Sequence, residues 1–317
     1  MTKNGGSESP VSVAASAWST SPLARWTFRL LMGVAIVLLL YSGYQGWDEL
    51  AGSSFRMDWL ALLVSFLAYG PTILTTVWGW HTILVDLGGR ISYWKNVKLY
   101  CSTNLARRLP TILFYAAGRT YVYQQENTSA LLVSTAIFLE LVMVAGSGLV
   151  VTFLFWPFMG SQSLPLPTLV ILGIGVVLLA IIFIRHDLLV RSLNKLSSRF
   201  LKTPLPVMKR RDLARWIAIY SVNWVLGGTC LFFLVQTFYP VPLTAWPKIV
   251  AIWSLSGLVS TIVTLFVPAG FGTREVTMAY LLQFLVPLPI SIAVSALSRV
   301  WVVINQLLWF AFSFFLS

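Results

Sequence analysis

The sequence predicts an all-α fold: a polytopic integral membrane helical bundle with about six full spans and two re-entrant or broken helical hairpins. An inverted repeat is one arrangement that would relate its two halves. Three observations lead there. Only 10% of the residues are charged, against about 25% in ordinary soluble domains, while 57% are hydrophobic and the mean hydropathy is +0.81. Uncharged stretches recur at lengths near the ~20 residues that cross a bilayer as a helix. In two places such a stretch is interrupted by proline, glycine and arginine together. A transmembrane barrel is disfavoured, because its strands alternate over roughly ten residues and do not run continuously apolar.

Residues 1–25 read as a polar, disordered tail on the cytoplasmic side, and 26–317 as one integral membrane domain. Span 26–44 follows Arg25, is long and lacks a small-residue cleavage site, so it reads as a retained helix. The connection 45–58 carries Asp48, Glu49 and Asp58 against Arg56 and fits the outside. Span 58–85 descends to turn 86–98, where Arg90, Lys95 and Lys98 oppose Asp86. Spans 129–156 and 166–185 flank an uncharged outer turn, and the basic loop 186–212 follows. From 185 to 215 there are nine bases against Asp187 and Asp212, which places this loop and turn 86–98 in the cytoplasm by the positive-inside rule. Within it, Leu189, Leu193, Leu196 and Phe200 share a helical spacing, with Arg191, Lys195, Arg199 and Lys202 on another face. That pattern fits an amphipathic helix on the anionic inner leaflet, or an ordinary basic loop enforcing topology. Spans 213–238 and 290–316 complete the set. The net charge of +12 is thus explained by lipid surface and orientation, and no nucleic-acid partner is expected.

Counting crossings isolates two hairpins. Segment 96–118 begins and ends inside, so it crosses an even number of times or not at all; Arg107–Arg108 and Pro110 mark its turn. In the second half, 248–267 descends, breaks at Pro268–Gly272, and 273–286 returns. The run Pro268-Ala-Gly-Phe-Gly-Thr-Arg-Glu275 separates Ile249–Val267 from Val276–Ser298, neither of which holds a charge. Irregular backbone at that depth is tolerated only where protein encloses it, because each unsatisfied peptide group in hydrocarbon costs several kcal/mol. Discontinuous helices meeting near the midplane are a recurrent plan of transporters.

Of ten acidic residues, Glu140 and Glu275 alone fall inside apolar stretches, beside Arg107, Arg108, Arg274 and Arg299, with Arg119 near an edge. A lone charge at the bilayer centre costs at least about 2.5–3.5 kcal/mol. These groups therefore either pair with one another as structural ties or meet a ligand. A helix starting at 273 would aim free N–H groups and its positive end at Gly272–Glu275, suiting an oxyanion. Gly270 and Gly272 would admit it closely, and Arg274 would add a bidentate donor. Arg107, Arg108 and Arg299 would complete an anion pocket; Glu140 and Glu275 would take a cationic group, a proton or a counter-arginine. No metal site or cofactor is expected: Cys101 and Cys230 lack ligand spacing, His81 and His186 are far apart, and GFGTRE lacks the βαβ context of a dinucleotide site. The fourteen tryptophans read as interface anchors and packing groups.

Gly88-Gly89-Arg90-Ile91-Ser92-Tyr93-Trp94, then Asn104, Arg107–Pro110 and Gly118–Arg119, resemble the first signature of the flippase-like membrane domain of lysylphosphatidylglycerol synthases. The run 268–275, followed by Ser298–Arg299, resembles its second, although Ala269 stands where glycine is usual. The resemblance spans about 26–316. It implies an inner-membrane domain that moves an anionic, zwitterionic or aminoacylated phospholipid, or a lipid-linked intermediate, between leaflets. It implies substrate-binding roles for Asn104, Arg107, Arg108, Arg119, Glu140, Arg274, Glu275 and Arg299. The aminoacyl-transfer domain of those synthases is not in this sequence, so no enzyme activity is expected. Two alternatives stand beside this one: a membrane enzyme acting on a lipid phosphate, and a non-catalytic lipid-binding partner of a separate synthase or glycosyltransferase.

Overall fold

The computed structural model describes residues 57–106, 112–160, 208–266 and 272–316, with helical pieces of 172–185. Expectations for the tail 1–25, span 26–44, most of 166–185, the segment 188–202, and residues Arg107, Arg108, Pro110, Pro268 and Gly270 lie outside the described residues.

All regular structure among the described residues is helical. The principal helices are α1 (Trp59–Asp86), α2 (Tyr93–Ala106), α3 (Ile112–Gln124), α4 (Ala130–Phe155), α5 (Arg210–Phe238), α6 (Trp246–Phe266), α7 (Thr273–Leu282) and α8 (Leu288–Ser313). Local chemistry sets several ends. The Asp58 carboxylate accepts from the Leu60 and Ala61 N–H groups at 3.0 Å each, capping α1. Ser129 caps α4 through Leu132 N–H at 3.3 Å, and Asp212 in the first turn of α5 accepts from Lys209 N–H at 3.0 Å. Helix α7 stops at Leu282, short of the 286 expected, and the chain continues in turns, with Leu285 N–H donating to the Leu282 carbonyl at 2.8 Å, until Pro287 caps α8.

Among the described residues five helices are long and apolar enough to cross a membrane: Trp59–Asp86, Ala130–Met159, Arg210–Phe238, Leu243–Val263 and Leu288–Ser313. Four of these are expected full spans; the fifth is the descending arm of the second hairpin, which at 21 residues is itself long enough to cross. Large apolar side chains such as Leu63, Leu67, Leu154, Leu307 and Leu308 are exposed, the arrangement of a bundle solvated by hydrocarbon.

Helices α1 and α5 form the central pair, and they run antiparallel. At one end Asp58 N–H donates to the Thr237 carbonyl at 3.0 Å. At mid-length Thr76 Oγ1 donates to Asn223 Oδ1 at 2.8 Å, and the Tyr220 ring closes directly over Gly79. At the other end the Asp86 carboxylate pairs with Arg215 and accepts from Trp216 Nε1 at 3.0 Å. Around this axis the principal helix contacts form matching sets. Each of α1–α2, α2–α3, α3–α4, α2–α8, α1–α4 and α1–α8 has its counterpart in α5–α6, α6–α7, α7–α8, α6–α4, α5–α8 and α5–α4. Exchanging α1–α4 for α5–α8 thus leaves the pattern of neighbours unchanged.

The two arms α2 and α3 lie side by side, and their far ends meet: Lys95 at the start of α2 pairs with Glu126 just beyond α3. Helix α3 continues six residues past the expected limit at 118. Gly118–Arg119 looks like a boundary in sequence, but the structure neutralises Arg119 inside the bundle, so the helix need not end there.

Candidate functional site

The predicted site residues that are described fall into two clusters, one on each half; Arg107, Arg108 and Gly270 lie outside the described residues. In the first, α3 delivers Arg119 into the interior, where its side chain is 0% exposed. Its guanidinium carbon lies 3.6 Å from the centre of the Trp80 ring on α1 and 4.1 Å from that of Tyr100 on α2. Arg119 Nη1 donates to Glu140 Oε2 on α4 at 2.6 Å, and Tyr100 Oη donates to the other carboxylate oxygen at 3.1 Å. The cation is thus sandwiched by two π faces and matched by one anion. A polar chain supports it from the end of the hairpin where Lys95 meets Glu126. Trp80 Nε1 donates to Tyr123 Oη at 2.8 Å, Tyr123 Oη donates to Asn96 Oδ1 at 2.8 Å, and Asn96 Nδ2 meets His81 Nδ1 at 2.7 Å. Asn104 lies one turn beyond Tyr100 on the same face of α2, buried, with no hydrogen-bond partner for Oδ1 among the described residues.

The second cluster forms at the start of α7. Gly272 is its N-cap with φ of 90°, a left-handed conformation that favours glycine. No side chain caps this end. Arg274 and Glu275 are adjacent, so they project about 100° apart around the helix and face different neighbours. Arg274 lies over the Trp253 ring on α6, its guanidinium carbon 3.8 Å from the ring centre. Glu275 turns instead to Arg299 on α8, Oε1 to Nη1 at 3.4 Å. This pair is looser and more open than the first: the Arg299 side chain is 34% exposed and that of Glu275 12%.

The clusters occupy corresponding places. Tyr100 is the eighth residue of α2 and Trp253 the eighth of α6, and each stacks an arginine from the next helix. Each cluster also holds an ion pair between the short returning helix and the long helix after it, α3 with α4 and α7 with α8. The signs are reversed in the second, where the long helix contributes arginine. Sequence reasoning named the ionised groups but not Tyr100, and it read Trp80 and Trp253 with the other tryptophans as interface anchors and packing groups. Among the described residues no group of three His, Cys, Asp or Glu side chains is placed to hold a metal ion. No family model matches this chain, and no curated protein matches it.

Proposed function

We propose that this chain is a multi-pass protein of the cell membrane that carries a phosphate-bearing lipid head group between leaflets, using the α7 start and Arg299 as its anion site. The observation that carries this reading is the start of α7, where no side chain caps the helix, Gly272 is left-handed at φ 90°, and Arg274 follows two residues on. Arg299 reaches the same turn through Glu275, Nη1 to Oε1 at 3.4 Å. A planar guanidinium, a left-handed glycine and an uncapped helix start suit a phosphate oxyanion.

The topology that fits is an inverted repeat with a re-entrant hairpin in the first half and a broken one, whose α6 arm is long enough to cross, in the second. Arms of 14 and 13 residues reach only about 21 and 20 Å, short of the ~30 Å hydrocarbon core. The Lys95–Glu126 contact supports a first hairpin that comes back to the side it started from. Asp86 and Arg215 meet at the start of α5, next to the basic stretch of the sequence, so the positive-inside rule favours the cytoplasm for this side and, on the span count, for the N-terminus. Antiparallel α1 and α5 relate the halves about an axis in the membrane plane, so exposure would alternate around the central pair. The same reading follows from the resemblance to the flippase-like domain of lysylphosphatidylglycerol synthases.

The test is reconstitution of the full chain in vesicles containing fluorescent phosphatidylglycerol or phosphatidylethanolamine, with dithionite quenching of the outer leaflet. The wild type is expected to expose inner-leaflet label, and Arg274→Gln and Arg299→Gln to lose at least about tenfold in rate, as for loss of a charged ligand contact. Wild-type vesicles that protect their inner label as empty ones do, or variants that match the wild type, overturn the proposal.

A further inference from the structure

We infer that two tryptophans locked into reciprocal glycine notches, Trp253 against Gly227 and Trp224 against Gly257, set the place of Arg274, which makes Gly227 and Gly257 positioning residues of the anion site. This rests on the reading of that site above. The contacts are close enough to be decisive. A Cβ built on Gly227 of α5 would lie 2.3 Å from Trp253 Nε1, and one on Gly257 of α6 would lie 2.5 Å from two ring carbons of Trp224. Each helix therefore offers the other an indole and a gap, and a methyl group in either gap must displace a ring. The neighbouring Gly228 brings the two backbones together, its Cβ position being 2.7 Å from Val250 Cα.

Neither ring has room to give way. Trp224 Nε1 donates to the Val144 carbonyl at 3.1 Å and to Ser147 Oγ at 3.2 Å on α4, and its ring edge is 3.1 Å from the Cβ position of Gly148. Trp253 is buried, with Gly227 at its edge and the Arg274 guanidinium on its face. Trp253 and Gly257 are one turn apart on α6 and share a face, and Arg274 Nη2 comes within 3.8 Å of the Gly257 Cβ position. The floor under Arg274 is thus an indole plane continued by a bare stretch of helix. Displacing Trp253 removes that plane; filling Gly257 drives Trp224 toward the guanidinium.

The experiment compares Gly227→Ala alone with Gly227→Ala combined with Trp253→Phe or with Trp253→Leu, all as purified full chain. Two readouts are taken: phenylglyoxal modification of Arg274 by peptide mass spectrometry, and lipid movement in vesicles. Gly227→Ala is expected to raise modification about fivefold, as for loss of a cation–π contact, and to cut lipid movement about tenfold through misplacement of a ligand group. Phenylalanine lacks the N–H edge that the new methyl meets but keeps a π face, so it should restore both readouts toward wild type. Leucine relieves the same clash without a face and should restore neither. Equal rescue by leucine, or unchanged Arg274 reactivity in Gly227→Ala, overturns the proposal. If Gly227→Ala does not fold, single Trp253→Phe and Trp253→Leu variants replace it: only the leucine variant should raise Arg274 reactivity, and equal reactivity of the two overturns the proposal. Should no protein move lipid while the reactivities follow the expected order, the positioning role stands and the transport reading fails.

Discussion

The two hairpins answer the same physical problem, a guanidinium inside an apolar bundle, in different ways. In the α2–α3 hairpin Arg119 is enclosed, stacked on two rings and bound at 2.6 Å to Glu140. In the α6–α7 hairpin Arg274 lies over the Trp253 ring, and the carboxylate of Glu275 is turned to Arg299, which is one-third exposed. One cluster is closed around a tight ion pair; the other is open around a looser one. On the function proposed above, the corresponding positions divide the labour: the closed pair serves as scaffold and the open one as ligand site.

The largest effect that bears on this comparison is expected in the closed cluster. Glu140→Gln leaves Arg119 charged and buried without its anion, and breaking a buried pair from one side typically costs 3–5 kcal/mol. The variant should extract in poor yield, aggregate in detergent and melt well below the wild type. Replacing both partners by apolar residues of similar size, Arg119→Met with Glu140→Leu, should recover most of that loss, because the desolvation cost vanishes with the charges. Size-exclusion profiles and thermal melts decide between the outcomes. A Glu140→Gln protein that melts like the wild type would mean that this pair is not a structural tie, and the division of labour would be lost.

A sharper manipulation gives the second half the charge pattern of the first. Glu275→Gln with Arg299→Glu places a carboxylate on the long helix, as Glu140 is placed on α4, and lowers the formal charge of the cluster by one. Thermal melts check that the variant folds. Lipid movement should fall by at least about tenfold, because the head group would meet a carboxylate where a guanidinium stood. Retained movement would show that Arg299 does not hold the head group.

How far the sequence alone reaches differs between fold and site. Four spans are legible to within about three residues, because uncharged runs of that length have few alternatives in a membrane. The first hairpin is legible as an interruption, but its upper limit at 118 is misread. Arg119 marks a boundary only if nothing neutralises it, and its partner lies 21 residues away on another helix. The partners of Glu275 and Arg274 follow from helical geometry once the helix start is known, since neighbours in sequence diverge by about 100°. Trp253 and Tyr100 are not legible as cation seats. In a chain with fourteen tryptophans an aromatic residue carries no contrast, and its function appears only when an arginine is brought over its face.

The smallest expected effect lies at the mouth of the first hairpin, where it tests the level at which the hairpin enters. The Lys95–Glu126 pair has side chains 48% and 29% exposed. In water such a pair contributes about 0–1 kcal/mol and is screened further by salt. Lys95→Ala and Glu126→Ala should therefore each shift the melting transition only slightly, and the difference from wild type should vanish in about 1 M salt, where the Debye length is about 3 Å. The two readings of the hairpin diverge here. If α2 and α3 enter from the cytoplasmic surface, the pair is wetted and salt erases it. If the pair lay within hydrocarbon, salt would not reach it, and removing either partner would strand a charge at several times the cost. A large, salt-insensitive loss would move the mouth of the hairpin into the membrane and take the re-entrant topology with it. A small loss erased by salt keeps Lys95 and Glu126 at the surface, with Arg119 deeper in the hairpin, where only a protein partner can meet its charge.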